Sequence, residues 1–370
     1  MATATASIPN PRRTVCGGRL KVTLRLLLLG AAAALWLPLS LPFATAAGAA
    51  GTDAAVSERD AAKAEYRRPA TVPYPADNPF SEAKLGLGRM LFFDPILSGS
   101  GTRSCASCHE PGLSWSDGLP RAVGENQHPM SLHSPTLLNL AWSSILGWDG
   151  KFRDLESVAF TPITTPANMN QTVDGLRAKL AAIPGYVQAF TAAFPDGAIT
   201  QRNIELALAT FERTIVSGTS PFDRWVGGDE AAIDEAAKRG FDLFNGKAGC
   251  AECHSGWNFT EGAFYDIGTA QADDLGRGRL FPNSPKLQYA FKVPTLRDVA
   301  RRGPYMHDGS VPTLEGVIDL YDRGGIDRPS RSELIHPLGL TPSEKADLLA
   351  FLRTLNDDPR PAVAVPALPR

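Results

Sequence analysis

An excess of charge of either sign is what this 370-residue chain most plainly lacks: 37 Lys and Arg meet 39 Asp and Glu, a formal charge of −2. A protein that tracks a phosphate backbone carries a basic excess, so nucleic acid is not an expected partner. Cysteine is scarce, at five residues, which rules out a small scaffold built on disulfides. Sustained period-two runs of β-branched residues are few, so neither a β-sandwich nor a barrel is expected. With 43% hydrophobic and 21% charged residues, the composition is that of a globular chain with room for two domains.

Acid is missing altogether from residues 1–46, where Arg12, Arg13, Arg19, Lys21 and Arg25 precede an apolar run from Leu26 to Phe43 and then Ala44-Thr45-Ala46. This is the pattern of a secretory signal peptide cleaved near Ala46, and Pro38 and Pro42 argue against a retained membrane span. The mature chain is therefore expected in the periplasm. Losing the five basic residues takes the formal charge from −2 to −7 and removes Cys16, leaving Cys105, Cys108, Cys250 and Cys253.

Those four fall as Cys105-Ala106-Ser107-Cys108-His109 and Cys250-Ala251-Glu252-Cys253-His254, each a C-x-x-C-H pentapeptide. Two thiols three apart on one helical turn can add to the two vinyl groups of a porphyrin, and the next residue offers an imidazole to its iron. A zinc ribbon places its pairs ~15–20 residues apart, whereas these lie 145 apart, and neither has the βαβ context of a thioredoxin motif. Two covalent c-type haems are expected, held by all four cysteines, with His109 on the iron of haem 1 and His254 on that of haem 2.

The motifs sit in a crude repeat. Ser81-Glu82-Ala83-Lys84 leads through Gly88 and Leu91-Phe92 to the first, and Asp234-Glu235-Ala236-Ala237-Lys238 leads through Gly240 and Leu243-Phe244 to the second. Elsewhere the apolar spacing is helical: Val173, Leu176, Leu180 and Ile183 until Pro184-Gly185, then Ile204, Leu208, Phe211 and Ile215. Thr341-Pro342-Ser343-Glu344 is a capping box opening a helix through Leu348, Leu352 and Leu355. The expected fold is mainly α, two cytochrome c-like domains with long loops. Its parts are a signal peptide (1–46), a linker (47–75), an N-terminal haem domain (76–220), a C-terminal haem domain (221–358) and a flexible tail (359–370), with the seam at Ser217-Gly218-Thr219-Ser220-Pro221.

From about Pro75 to Leu355 the sequence resembles the bacterial di-haem cytochrome c peroxidase family, which includes the MauG-type enzymes. The segments that carry the resemblance are Leu87-Gly88-Arg89-Met90-Leu91-Phe92-Phe93-Asp94-Pro95, Trp115-Ser116-Asp117-Gly118, Ser134-Pro135-Thr136-Leu137-Leu138-Asn139 and Trp148-Asp149-Gly150. In the second half they are Lys292-Val293-Pro294-Thr295-Leu296-Arg297 and Pro304-Tyr305-Met306-His307-Asp308-Gly309. The resemblance implies that haem 1 meets hydrogen peroxide, that haem 2 relays electrons, and that Trp148 is the electron relay between them.

Haem 1 needs an open sixth position for peroxide. The position that some family members fill with a histidine is Glu125 here, and His128, three residues on, reads as a solvated loop residue. For haem 2 the family uses methionine in its electron-transfer peroxidases and tyrosine in the MauG type. The matching position is Tyr321, with Met306 in reserve. Leu314, Val317, Ile318 and Tyr321 share a helical face, which turns the phenol inward. A phenolate stabilises oxidised iron relative to a thioether, which favours the storing of oxidising equivalents.

Two departures stand out. The glutamine and glutamate that the family places above haem 1 align with Val158 and Asn168, neither of which carries a proton at neutral pH, leaving Glu156 or Asp154 as the distal candidate if the register shifts. A calcium ion between the haems is also implied, but the asparagine ligand aligns with His133, and the two carbonyl ligands with Arg302 and Pro304. Imidazole is a poor ligand for a hard cation, so calcium requires waters or another side chain in compensation. Three functions stay open. One is a peroxidase drawing electrons from a small c-type cytochrome or a cupredoxin. The others are a MauG-type oxidant of aromatic residues in a partner protein, and a two-haem electron carrier or redox sensor without turnover.

Overall fold

The computed structural model describes residues 59–359 and 362–369. The expected signal peptide and the start of the linker lie outside the described residues. After α1 (residues 59–65), the first half contains α2 (Glu82–Phe93), α3 (Leu155–Val158), α4 (Phe160–Thr164), α5 (Val173–Ala181), α6 (Pro184–Ala193) and α7 (Gln201–Arg213). The second half contains α8 (Pro221–Val226), α9 (Glu235–Asn245), α10 (Leu314–Arg323) and α11 (Pro342–Arg353). One short antiparallel pair, β1 (Phe264–Tyr265) with β2 (Phe291–Lys292), is the sheet seen among the described residues.

The repeat read from the sequence is a repeated helix crossing. Ser81 caps α2 by accepting the Lys84 N–H, and Asp234 caps α9 by accepting that of Ala237. A Cβ at Gly88 would fall 1.9 Å from the Ala207 carbonyl oxygen on α7, and one at Gly240 would fall 2.0 Å from that of Asp347 on α11. Only glycine permits backbones to approach this closely. Around the first crossing pack Leu87, Leu91, Phe92, Phe190, Leu208 and Phe211, and around the second Phe222, Trp225, Phe241, Phe244, Phe259 and Phe351. Each such side chain contributes roughly 1.5–3 kcal/mol by leaving water.

The Thr341 box forms as expected, with Thr341 accepting the Glu344 N–H and Glu344 accepting the Thr341 N–H. α5 ends just before Pro184, as expected, and Pro184 itself opens α6 in its first turn, where its missing N–H costs no hydrogen bond. The ends of the chain also differ from the expected linker and tail. α1 delivers Tyr66 into the second core, its ring 4.9 Å from that of Phe259, and its hydroxyl donates to Asn245 at 2.8 Å. In return the tail lies on the first half, where Arg89 donates to the Ala364 carbonyl and Val363 packs on the core. Apolar side chains in both segments explain this, since a Tyr or Val that finds a groove gains more by burial than by solvation. Among the described residues no helix is long and apolar enough to cross a membrane.

Candidate di-haem site

Each pentapeptide folds as one 3-10 turn, Cys105–Ser107 and Cys250–Glu252, tighter than a haem helix of several turns. The N–H of His109 donates to the Cys105 carbonyl at 3.0 Å and that of His254 to the Cys250 carbonyl at 2.9 Å, so each imidazole follows its thiols at once. The four thiols are unpaired. Burial pushes Cys250 up to about 12 and Cys253 up to about 11, which keeps them as thiols, and among the described residues no cluster of three or more His, Cys, Asp or Glu is placed to hold a metal ion.

The histidines are prepared alike. Nδ1–H of His109 donates to the Trp115 carbonyl at 3.2 Å and that of His254 to the Phe259 carbonyl at 2.8 Å. This fixes the tautomer and leaves the Nε2 lone pair for a metal. Burial holds both imidazoles neutral, lowering His109 and bringing His254 down to about 4. Trp115 and Phe259 both stand in left-handed backbone, at φ 62° and 51°. A non-glycine residue is strained there, and the same strain at the same task in both halves marks it as functional. The sequence reading missed these two carbonyls. Their one signal was an aromatic residue six and five positions after the motif histidine. Paired free thiols and an imidazole with its outer nitrogen committed fit covalent c-type haem at both places.

Tyr321 is on α10, as its spacing predicted. Burial, with Cys250 and Cys253 in electrostatic reach, raises its phenol well above the usual range. Among the described residues its hydroxyl finds no hydrogen-bond partner. Met306 lies in the turn before α10, at φ 74°. Trp148 is half-buried, and its indole N–H donates to the His133 carbonyl at 2.8 Å. It lines a cavity of about 880 Å³ together with Arg121, Asp274, Phe291 and Arg323.

Glu156 is not free to act at haem 1. Its carboxylate accepts from Arg213 at 2.7 and 2.8 Å and from Asn78 at 2.7 Å, binding α3 to α7. Burial acts to raise its pKa, but Arg213 and Asn78 overcome this and hold it below the usual carboxylate value. Asp154 caps α3 by accepting the Ser157 N–H. Val158 packs on an apolar cluster with Leu146 and Leu155. His128 is exposed, as expected.

The acid that does reach this region is Glu125. The main-chain N–H of Glu125 donates to the carbonyls of Ala167 at 3.1 Å and Asn168 at 2.7 Å. A Cβ at Gly124 would fall 1.9 Å from the Ala167 oxygen, and the Val123 carbonyl lies 3.9 Å from Cys108 Sγ. Glu125 is 5% exposed and, among the described residues, its Oε2 has no hydrogen-bond partner. A buried carboxylate oxygen without a hydrogen bond is costly and is retained where it has a task.

A second buried acid, Glu212 on α7, also has an unpartnered Oε2 and lies within electrostatic reach of Cys105. Burial, with Glu156 adding and Arg213 opposing, pushes it up to about 8. The folded chain then holds a proton that the unfolded chain releases near 4.5, so stability falls as pH rises between these values. Glu212→Gln is expected to raise the melting temperature of the holoprotein by several degrees above about pH 8 and to change it little near pH 5. Thermal melts followed at both pH values check this.

The implied calcium ligands do not fit a calcium ion. His133 is buried, its Nδ1–H is given to the Leu119 carbonyl at 2.7 Å, and imidazole is the wrong donor. The side chain of Arg302 brings a cation to the same neighbourhood, in electrostatic reach of His133.

Comparison with known proteins agrees with two c-type haem domains. The family model described as di-haem cytochrome c peroxidase matches residues 82–231, and that described as cytochrome c matches residues 237–356. The methylamine utilization protein MauG of Methylorubrum extorquens is 50% identical over 329 residues, 88% of this chain and 93% of that protein. Cytochrome c551 peroxidase of Pseudomonas aeruginosa is 32% identical over 79% of this chain and 83% of its own. A solved MauG-like protein associated with microbial copper homeostasis superposes with a TM-score of 0.73 at 34% identity, covering 79% of this chain and 95% of that one.

Proposed function

The chain belongs to the di-haem cytochrome c peroxidase family, a haem oxidoreductase with two c-type haems, and from that premise we propose that it works as the MauG-type members do. It reacts with hydrogen peroxide at haem 1 and draws electrons through haem 2 from aromatic residues of a partner protein in the periplasm. That partner serves methylamine utilisation, the process for which the Methylorubrum relative is named. The observation that carries this choice over a small cytochrome or cupredoxin donor is Tyr321, a half-buried phenol on α10 that has no hydrogen-bond partner among the described residues and stands in electrostatic reach of both haem 2 cysteines.

Bound haem supplies peroxide reduction and storage of the oxidising equivalents. The chain supplies the rest. His109 and His254 are held neutral by burial and oriented by the Trp115 and Phe259 carbonyls, and would hold the two haem irons, with Tyr321 as the residue that would give haem 2 a second protein ligand. Trp148 offers an oxidisable indole whose N–H is anchored on His133. Oε2 of Glu125 takes the proton of one peroxide oxygen and returns it to the other, work that Val158 and Asn168 cannot do. Stoichiometric peroxide added to the ferric holoprotein tests the proposal. A high-spin haem that gives way to a long-lived oxidised spectrum, discharged by a protein substrate, is expected. Two low-spin haems inert to peroxide would make the chain an electron carrier.

A further inference from the structure

The two halves meet through a chain of hydrogen bonds to main-chain carbonyls. The Lys292 N–H donates to the Trp148 carbonyl at 2.8 Å, the Trp148 indole to the His133 carbonyl at 2.8 Å, and the His133 N–H to the His307 carbonyl at 2.9 Å. Two half-buried cationic side chains lie beside this chain. The guanidinium of Arg302 donates to the carbonyls of Arg297 at 3.0 Å and Thr295 at 2.6 Å. The ammonium of Lys292 donates to the Val293 carbonyl at 3.1 Å. Among the described residues neither forms an ion pair with a carboxylate. Asp298, the acid acting on Arg302, already accepts from Ser114 at 2.8 Å and from the Asp357 N–H at 2.7 Å.

The charges of these two side chains act on one another and on the haem ligand nearby. Burial, with Arg302 adding, brings Lys292 down to about 8, and burial brings Arg302 to about 10. Both also help to depress His254. A divalent cation beside them would face two uncompensated positive charges in a poorly solvated place, with an imidazole where a hard oxygen donor is needed.

We infer that the positive charge between the haems is carried in this chain by Arg302 and Lys292 in place of calcium, so that the holoprotein binds none there. This rests on the di-haem reading but not on the peroxide step. As tuning residues they act through field and position: a fixed cation near His254 favours the reduced state of haem 2.

The test uses holoprotein matured with both haems, before and after dialysis against a calcium chelator. Expected are calcium far below one ion per chain by elemental analysis, and unchanged haem spectra and midpoint potentials on chelation or on adding calcium. Arg302→Gln is expected to lower the haem 2 potential, and Arg302→Lys to restore it. Calcium at one per chain whose removal alters the spectra would overturn the inference, as would an Arg302→Gln potential equal to that of the parent. None of these readouts needs peroxide, so an enzyme inert to peroxide would sink the proposed function and leave this inference to stand or fall separately.

Discussion

Glu125→Gln is expected to slow the reaction of the holoprotein with hydrogen peroxide by about 10²–10⁴-fold, the range over which a positioned acid–base group acts. The substitution keeps the shape and removes the one group in the 122–130 turn that combines burial with a free carboxylate oxygen. Stopped-flow mixing under single-turnover conditions isolates the step from the partner protein. The ferric spectra of both haems are expected to stay as in the parent. Restoring a carboxyl from the facing turn, with Asn168→Glu added to Glu125→Gln, is expected to recover much of the rate, because the main chains of the two residues are hydrogen-bonded. A parent-like rate for Glu125→Gln alone would remove Glu125 from the mechanism.

Tyr321→Met is expected to have an effect of similar weight at the other haem. A thioether favours ferrous iron where a phenolate favours ferric, so the haem 2 potential is expected to rise by a few tenths of the roughly 0.8 V that axial ligands span. The long-lived oxidised state, and with it the oxidation of protein aromatics, is expected to be lost. Electron uptake from a small c-type cytochrome is expected to survive or improve. Spectroelectrochemical titration reads the potential, and decay of the peroxide-generated spectrum reads the lifetime. An unchanged haem 2 spectrum and potential would mean that Tyr321 is a core tyrosine, and Met306 would become the residue to mutate.

The chemistry-bearing residues were legible because covalent attachment imposes a local spacing. Cys105, Cys108 and His109, and their counterparts at 250, 253 and 254, must follow one another on a single turn, whatever surrounds them. Helices α7, α10 and α11 were legible for a related reason, since apolar period and capping are also local. The acid proposed to move the proton was legible only as a position above haem 1, not as a carboxylate with a free oxygen. Glu156 and Asp154 are near Val158 in sequence, yet Arg213 and a helix cap claim them, while Glu125 arrives from a turn some thirty residues earlier. Nor does composition say that a terminal arm read as linker will place Tyr66 in the far core.

By itself, then, the sequence determined that this chain takes two c-type haems on repeated helical units, and it pointed to one histidine for each and to other residues at the family's proton-carrier and calcium positions. Only the tertiary structure decided what surrounds those positions. It set Trp115 and Phe259 to orient the imidazoles, Glu125 beside Asn168, and Arg302 and Lys292 between the halves. Spacing along a chain fixes contacts within a turn, whereas a buried charge or an unpaired oxygen is defined by what folds over it from elsewhere.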